Sequence, residues 1–541
     1  MTLRSTIPDL TIPDLDFSTF VLARGRQTPE KPAIIDVATG VQITYGQLIA
    51  AIEAEADRLL ALGLRPGDLV AICGFNTPSF GVAAHAVWRA GATVVTMNPL
   101  FTVREMHQEL ADAGARYLIA AAAVMERAQE AAGLAGVEHV FTLGEPGSLA
   151  AFEEQKQTLP LSTPGGRGPG GGGLHERDVA LVLYSSGTTG LPKGVMLTHR
   201  NLMAALFQLQ AGDLSRQDDV LVAISPFFHV VGLHGVLNLG LFTGATIVTI
   251  GRYDLRTFLG AIQEHGISSA FLTPPIVNDL VRNPAVSEYD LSSLRSILCA
   301  AAPLGPAMEA IAAERLGCVV RQGFGMTETT GPISTMLIGE EQARRGSVGT
   351  LAPSTEGKIV DVVSGEELPP GQHGEVLVRG PQVMRGYLGN PAATAATIEP
   401  DGWLHTGDIG YADADGYLYI VDRVKEIIKY KAYQVAPAEL EAILGTHPAI
   451  VDAAVVPSPD DEAGEIPKAF VVLRPETPPT PALTDAILAH VAQQVAPYKK
   501  LRALEVVTEI PRSPSGKILR RVLVDRERAA HTHDAQPGVV G

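Results

Sequence analysis

Val182-Leu-Tyr184 runs directly into Ser185-Ser-Gly-Thr-Thr-Gly-Leu-Pro-Lys-Gly194. The first three residues read as a short buried strand. The next ten hold two hydroxyl pairs, three glycines and one lysine, a composition suited to a polyphosphate. Glycines let backbone N–H groups approach and turn toward an anion. The hydroxyls of Ser185, Ser186, Thr188 and Thr189 add donors, and Lys193 adds charge. Gly187 and Gly190 leave room for close approach. The loop is not Walker A, because Lys193 lies three residues after Gly190 and precedes Gly194. A strand opening into a phosphate loop belongs to an α/β protein.

Outward from this loop, helix and strand alternate. Leu48–Leu62 reads as an amphipathic helix, Pro66-Gly67 as a turn and Leu69–Cys73 as a buried strand. Ala83–Arg89 and Thr93–Met97 repeat the order. The alternation predicts a parallel sheet with helices on its faces. Between these units and the loop lies Pro164–Gly173, a glycine-rich spacer. Near the start, Thr6-Ile-Pro-Asp-Leu10 recurs as Thr11-Ile-Pro-Asp-Leu15, too short for a repeat fold and read as a surface arm. From Gly374 the texture changes to short strands, Glu375–Arg379 and Tyr417–Val421. After Asp422 a small α+β unit of about 100 residues is expected, with helices at Pro437–Leu444 and Pro481–Val495 and strands at Ala453–Val456 and Ala469–Leu473. The expected division is 1–421, a hinge at 422–425, a C-terminal domain at 426–526 and a flexible tail at 527–541.

Val220–Gly251 contains no Lys, Arg, Asp or Glu and is long enough for a membrane span. Pro226, His229, His234, Asn238 and five glycines interrupt it. It is better divided into a strand (Leu221–Ile224), a turn at Ser225-Pro226, a helix around Gly235–Phe242 and a strand (Thr246–Ile250). No membrane span is expected. The N-terminus shows no secretory pattern, and the C-terminus is no receptor-read address. Cys73, Cys299 and Cys318 are widely spaced, match no zinc pattern and fit a reducing cytosol, so a cytoplasmic protein is expected.

The chain has 541 residues, 46% hydrophobic and 19% charged, with a net charge of −17. That supports large cores and excludes a disordered chain and a general nucleic-acid binder. Positive charge is local. Val495–Arg521 holds seven basic and two acidic residues, and Asp422–Lys431 holds four and two. A local polyanion site is therefore compatible with an acidic whole.

Four further motifs follow the phosphate loop in order: Gln322-Gly-Phe-Gly-Met-Thr-Glu328, Trp403-Leu-His-Thr-Gly-Asp408, Asp422-Arg-Val-Lys-Glu-Ile-Ile-Lys-Tyr-Lys431 and Pro511-Arg-Ser-Pro-Ser-Gly-Lys517. Together with the loop they closely resemble the signatures of the adenylate-forming superfamily, which contains acyl-CoA and aryl-CoA ligases, firefly luciferase and peptide-synthetase adenylation domains. The branch resembled is that of acyl-CoA and 4-coumarate–CoA ligases. The resemblance implies a large multi-subdomain N-terminal domain and a small C-terminal domain that rotates about a hinge. It also implies two half-reactions: carboxylate plus ATP gives acyl-adenylate and pyrophosphate, and CoA then gives a thioester and AMP.

Residue chemistry suits these roles. Phe324 offers a flat face to adenine, with Gln322 and Gly323 presenting polar groups at its edge. Thr327 can donate to an α-phosphate oxygen. Glu328 is a hard-oxygen ligand for Mg2+, joined by Thr188; Mg2+ commonly takes one or two carboxylates plus substrate phosphates. Asp408 can accept from both ribose hydroxyls, supported by Arg423. Lys517 carries the central role. The acid is ionised at neutral pH, since carboxyl pKa values lie near ~4. Its attack on ATP brings two anions together, and unit charges at ~4 Å interact by ~4 kcal/mol at an effective dielectric near 20. A lysine reaching both groups reverses the sign of that term and stabilises the transition state. Ser513-Pro-Ser-Gly516 reads as a mobile turn beneath it.

For the thiol step, the resemblance assigns Asp422–Lys425 to the hinge and Lys429, Lys431 and Gln434 to the adenylate and the pantetheine thiol. Arg252 falls where related ligases contact the CoA nucleotide. Many members have Gly after the second lysine, where this chain has Ala432; its methyl crowds the thiol channel or requires φ < 0. The acid pocket is assigned to Pro226-Phe-Phe-His-Val-Val231, with His229 as gate, together with Val231, Gly235, Ala300, Ala301 and Gly323. Val231 stands where plant 4-coumarate–CoA ligases usually have Tyr and cannot hydrogen-bond. Ala300 stands at a usual Gly. Both favour an apolar acid, such as cinnamate or a medium-chain fatty acid. Three alternatives have discriminating features. An enzyme loading a carrier-protein thiol would need a separate partner, since the chain holds no carrier module. A non-catalytic binder of ATP or acyl-adenylate is opposed by intact Lys517, Glu328 and Asp408. A luciferase-like oxygenase would differ in the pocket alone.

Overall fold

The structure is a computed structural model that describes residues 2–144, 152–154, 178–185, 192–431, 433–460, 463–513 and 516–534. The spacer Pro164–Gly173, most of the phosphate loop (186–191) and Ala432 lie outside the described residues.

The predicted alternation builds two large sheets. Among the described residues, one has eight strands and is parallel through Val179–Ser185, Thr93–Met97, Leu69–Cys73, Tyr117–Ala121 and His139–Leu143. The other has nine and is parallel through Pro32–Asp36, Thr246–Thr249, Val220–Ala223, Ser269–Leu272, Ser296–Cys299 and Val319–Met326. One apolar cluster joins them. It includes Phe80 and Trp88 of the helix Pro78–Arg89, Leu181, Leu221 and Ile247. Strands buried on both faces explain the continuous apolar runs in the sequence.

A five-stranded antiparallel sheet follows, formed by Leu3–Arg4, Glu356–Val360, Gly374–Arg379, Leu404–Ala412 and Leu418–Arg423. Ahead of the surface arm, Leu3 and Arg4 pair with Gly357 and Glu356 at the sheet edge, and within the arm the Leu10 N–H donates to Ser354 Oγ at 2.8 Å. The chain leaves this sheet at Arg423. It enters a second five-stranded sheet of Ile428–Tyr430, Tyr433–Val435, Ile450–Asp460, Gly464–Leu473 and Ala503–Val506. The helices Pro437–Leu444 and Pro481–Ala492 pack on it through Leu440, Leu444, Ile487 and Val491.

Two expectations change. The tail expected from 527 is helical through Asp534, within Arg520–Asp534. Glu527 is buried there and accepts from Ser458 Oγ at 2.7 Å and Lys468 Nζ at 2.8 Å. The helix expected around Gly235–Phe242 starts earlier and is wound differently, as a π-helix at Val231–Asn238 continued by Leu239–Thr243. Gly232 explains the start, because a Cβ there would lie 2.1 Å from the Pro226 carbonyl oxygen. Among the described residues no helix is long and apolar enough to cross a membrane.

Candidate active site

Parallel strands end together, and α/β proteins bind ligands beyond those carboxyl ends. Here the ends carry the sequence motifs. Val179–Ser185 leads into the phosphate loop. Val319–Met326 leads into Thr327 and Glu328. Ser296–Cys299 leads into Ala300 and Ala301, and Val220–Ala223 into Pro226–His229. Of the phosphate loop's candidates, Ser185 and Lys193 are described; Ser186, Gly187, Thr188, Thr189 and Gly190 are not.

Glu328 is buried in the 3-10 turn Thr327–Thr329. Its Oε1 accepts from Ser185 Oγ at 3.1 Å and from Tyr387 Oη at 3.0 Å. The Lys193 ammonium sits 4.8 Å from the Tyr387 ring centroid, a cation–π contact. Tyr387 was absent from the sequence reading. It arrives because the two-residue strand Gly386–Tyr387 pairs with Val195 and Met196. No group of three or more His, Cys, Asp or Glu side chains able to hold a metal occurs among the described residues. An ion bound by one carboxylate and the nucleotide's phosphates needs none, so the donor chemistry of Glu328 fits Mg2+.

Asp408 and Arg423 are register partners on adjacent strands, and Arg423 Nε lies 3.5 Å from Asp408 Oδ1. Burial pushes the Asp408 carboxyl up to about 6, although Arg423 and Lys517 pull it down. Lys517 reaches this cluster from the small domain. Burial lowers its pKa, and the neighbouring Arg423 adds to that, while Asp408, Glu328 and Glu426 oppose it. His229 is held neutral: burial, then the Lys517 charge, push it down to about 4.

Half of the turn expected to be mobile, residues 514 and 515, lies outside the described residues. Among its described residues, Ser513 N–H donates to Lys517 O and Gly516 N–H to Ser513 O, both at 2.8 Å. Arg512 Nη1 also donates to Gly516 O at 2.7 Å. The side chain of Gln322 is engaged within the protein. It is buried, accepts from Leu304 N–H at 2.7 Å and donates to Glu309 Oε2 at 2.8 Å. The Leu304 contact braces the 300–305 loop across 18 residues and the Glu309 contact spans 13, separations that motif spacing does not reveal. Phe324 is half-buried on the same strand.

Around the expected acid pocket, a Cβ on Gly235 would lie 3.6 Å from Phe271 Cε1 and 3.9 Å from Val231 Cγ1. A Cβ on Gly323 would lie 3.3 Å from Leu298 Cδ1. Phe271 and Leu298, which pack beside these glycines, are buried apolar strand residues of the core. Left-handed backbone falls on Ala301 (φ +74), not on Ala300. At the expected hinge, buried Asp422 accepts from Arg423 N–H and from Ala438 N–H, each at 2.8 Å. Lys425, Lys429, Lys431 and Arg252 are exposed, and Lys429 opposes Gln434 in register. Lys431 itself takes φ +54.

A buried carboxylate beyond one parallel sheet, an aspartate–arginine pair on the antiparallel sheet and a half-buried lysine from the small domain suit an enzyme that activates acids with ATP. The chain belongs to the AMP-binding enzyme family, which it matches over residues 21–388, with the family's C-terminal domain over 439–517. It is an AMP-forming acid–CoA ligase acting through an acyl-adenylate. Its relatives include 4-coumarate–CoA ligase 5 of Oryza sativa subsp. japonica, 42% identical over 536 residues and 96% of both chains. A second is 4-coumarate–CoA ligase 1 of Petroselinum crispum, 39% identical over 530 residues and 96% of both. Among solved structures, an anthranilate CoA ligase, AuaEII, with anthranoyl-AMP has a TM-score of 0.86 at 27% identity, covering 97% of this chain and 99% of that one. ATP-bound MatB from Rhodopseudomonas palustris gives 0.83 at 28%, covering 96% and 100%.

Proposed function

We propose that the acid is an apolar aryl-propenoate of the cinnamate or 4-coumarate type, and that Lys517 joins its carboxylate to the α-phosphate of ATP. The observation carrying this reading is that half-buried Lys517 comes close enough to Arg423, Asp408 and Glu328 for their charges to act on it, beside the Asp408–Arg423 pair. The relatives' substrate and the apolar surroundings of Val231, Gly235 and Phe271 support the choice of acid. In this reading Asp408 holds the ribose, Thr327 a phosphate oxygen and Phe324 the adenine. Glu328, with Thr188, would hold Mg2+, which supplies charge neutralisation at the phosphates. Neutral His229 gates the pocket without adding a second cation beside Lys517.

The thiol step uses a rotated small domain, with residues 422–425 as hinge and 426 onward as the moving unit. Lys425, Lys429, Lys431, Gln434 and Ala432 then meet the adenylate and thiol, and Arg252 the CoA nucleotide. Their solvent exposure here, where described, fits residues awaiting the second half-reaction. A cytoplasmic setting fits three unpaired cysteines.

Lys517→Ala should reduce acid-dependent pyrophosphate exchange by about 100-fold or more. Wild-type exchange in this variant would overturn the assignment. AMP release across cinnamates and C6–C14 fatty acids, with CoA or a purified carrier protein, tests the acid and the acceptor. Carrier acylation without CoA turnover would overturn the acceptor.

A further inference from the structure

The helix Pro274–Arg282 of the large domain meets the small domain at both ends. At its start, Thr273 packs on the catalytic-lysine loop: a Cβ on Gly516 (φ +80) would lie 3.1 Å from Thr273 Oγ1. At its end, Arg282 donates to the carbonyls of Gly445, Ile450 and Val451. Gly445 caps the C-terminus of Pro437–Leu444, where unsatisfied carbonyls gather and a cation is favoured. Burial disfavours the Arg282 charge, and these charge-assisted bonds offset that penalty.

The gripped segment is connected to the lysine. Asp452, the next residue, accepts from Arg512 Nη2 at 2.7 Å and Nε at 3.2 Å. Arg512 in turn donates to Gly516 O at 2.7 Å, one residue before Lys517. Contacts therefore run from Arg282 through 450–452 and Arg512 to the backbone of Gly516, the residue before Lys517. No sequence motif includes Arg282, and it lies outside the cluster around Lys517.

We propose that Arg282 is a positioning residue for acid activation: it latches the small domain so that Lys517 is seated, and it releases for the thiol step. This rests on Lys517 acting in the first half-reaction. A misplacement of about 1 Å can cost 100-fold in rate, so the latch need not touch substrate to control turnover.

The test separates the half-reactions in the full-length enzyme. Arg282→Ala should lower kcat for pyrophosphate exchange on the order of 100-fold, with KM for ATP little changed. Thioester formation from supplied acyl-adenylate and CoA should stay at or above wild type, and Arg282→Lys should recover part of the exchange. Position can also be restored covalently. A Cβ on Gly305 would lie 3.3 Å from Ala442 Cβ, close to disulfide range. Oxidising Gly305→Cys/Ala442→Cys in the Arg282→Ala background should restore exchange, and reduction should remove it again. Equal loss of both half-reactions, unchanged exchange, or no rescue on verified crosslinking would overturn the latch. If Arg282→Ala does not fold, Arg282→Gln carries the same comparison. Wild-type exchange by Lys517→Ala would overturn the underlying reading instead, whatever Arg282 does.

Discussion

Tyr387 Oη donates to Glu328 Oε1 at 3.0 Å, and its ring simultaneously carries the Lys193 ammonium at 4.8 Å. One side chain thus orients the carboxylate assigned to Mg2+ and the lysine of the phosphate loop. The two contacts can be separated. Tyr387→Phe removes the hydroxyl and keeps the ring. A hydrogen bond to a charged group is worth roughly 1.5–3 kcal/mol. kcat/KM for ATP in pyrophosphate exchange should therefore fall ~10- to 100-fold, with half-saturation moved to higher Mg2+. Tyr387→Ala should cost more, because the cation–π contact goes too. Wild-type kcat/KM and Mg2+ dependence in Tyr387→Phe would show that the hydroxyl does not orient Glu328, and equal effects of the two variants would show that the cation–π contact contributes nothing.

Asp408 makes a pH-dependent prediction. Its carboxyl is pushed up to about 6 by burial, and only the anion can accept from both ribose hydroxyls without donating. kcat/KM for ATP should rise with pH through about 6 and flatten above it. Stability should move the other way. A carboxyl whose folded pKa lies above its unfolded value stabilises the fold fully below the unfolded value, and that contribution is lost as pH rises through the folded one. Asp408→Asn should therefore raise thermal stability at pH 8 by up to ~3 kcal/mol, with little change at pH 3.5. Exchange should fall at every pH. A variant less stable than wild type at pH 8 would show that the anion is repaid by Arg423.

The sequence made the elements and the motif loops legible because each depends on local pattern. Alternating helix and strand predicts parallel sheets, and parallel sheets bring the loops at 185, 300 and 328 to one edge. What it hid is non-local. Tyr387 sits on a two-residue strand with no period to read, and it joins the site through pairing with Val195 and Met196. The side chain of Gln322 faces inward because Glu309 lies beneath it. The π-helix at Val231–Asn238 follows from a glycine pressed on the Pro226 carbonyl, a contact that neither a 3.6 nor a 2.0 period encodes. The helix to Asp534 was obscured by polar composition, yet Glu527 is the buried partner of Lys468.

Ala301 and Ala300 should respond oppositely to glycine. Ala301 holds φ +74, a region that costs an L-residue roughly 1–2 kcal/mol. Ala301→Gly relieves that strain but adds unfolded-state entropy of about 0.4–1 kcal/mol. Stability should rise or stay level. Ala300 carries no such strain, so Ala300→Gly should lower stability by about 0.4–1 kcal/mol and widen the pocket toward para-substituted acids. Urea denaturation of both variants, with acid profiles for each, checks the pair. An unchanged profile for Ala300→Gly would remove Ala300 from the pocket wall.

Gly235 gives the sharpest handle on acid choice. Its missing Cβ would stand 3.6 Å from Phe271 Cε1 and 3.9 Å from Val231 Cγ1, ordinary van der Waals distances. Gly235→Ala should therefore fold without strain while placing a methyl beside Phe271 and Val231. One methylene in a hydrophobic pocket is worth ~1–3 kcal/mol of discrimination. kcat/KM for 4-substituted cinnamates should fall ~10-fold or more relative to unsubstituted cinnamate, with KM for ATP unaffected. Phe271→Ala removes the opposing ring, so in the same assay it should favour bulkier acids. In the double variant the two effects should partly cancel, since residues in contact couple rather than add. Strict additivity would place Gly235 and Phe271 against different parts of the substrate.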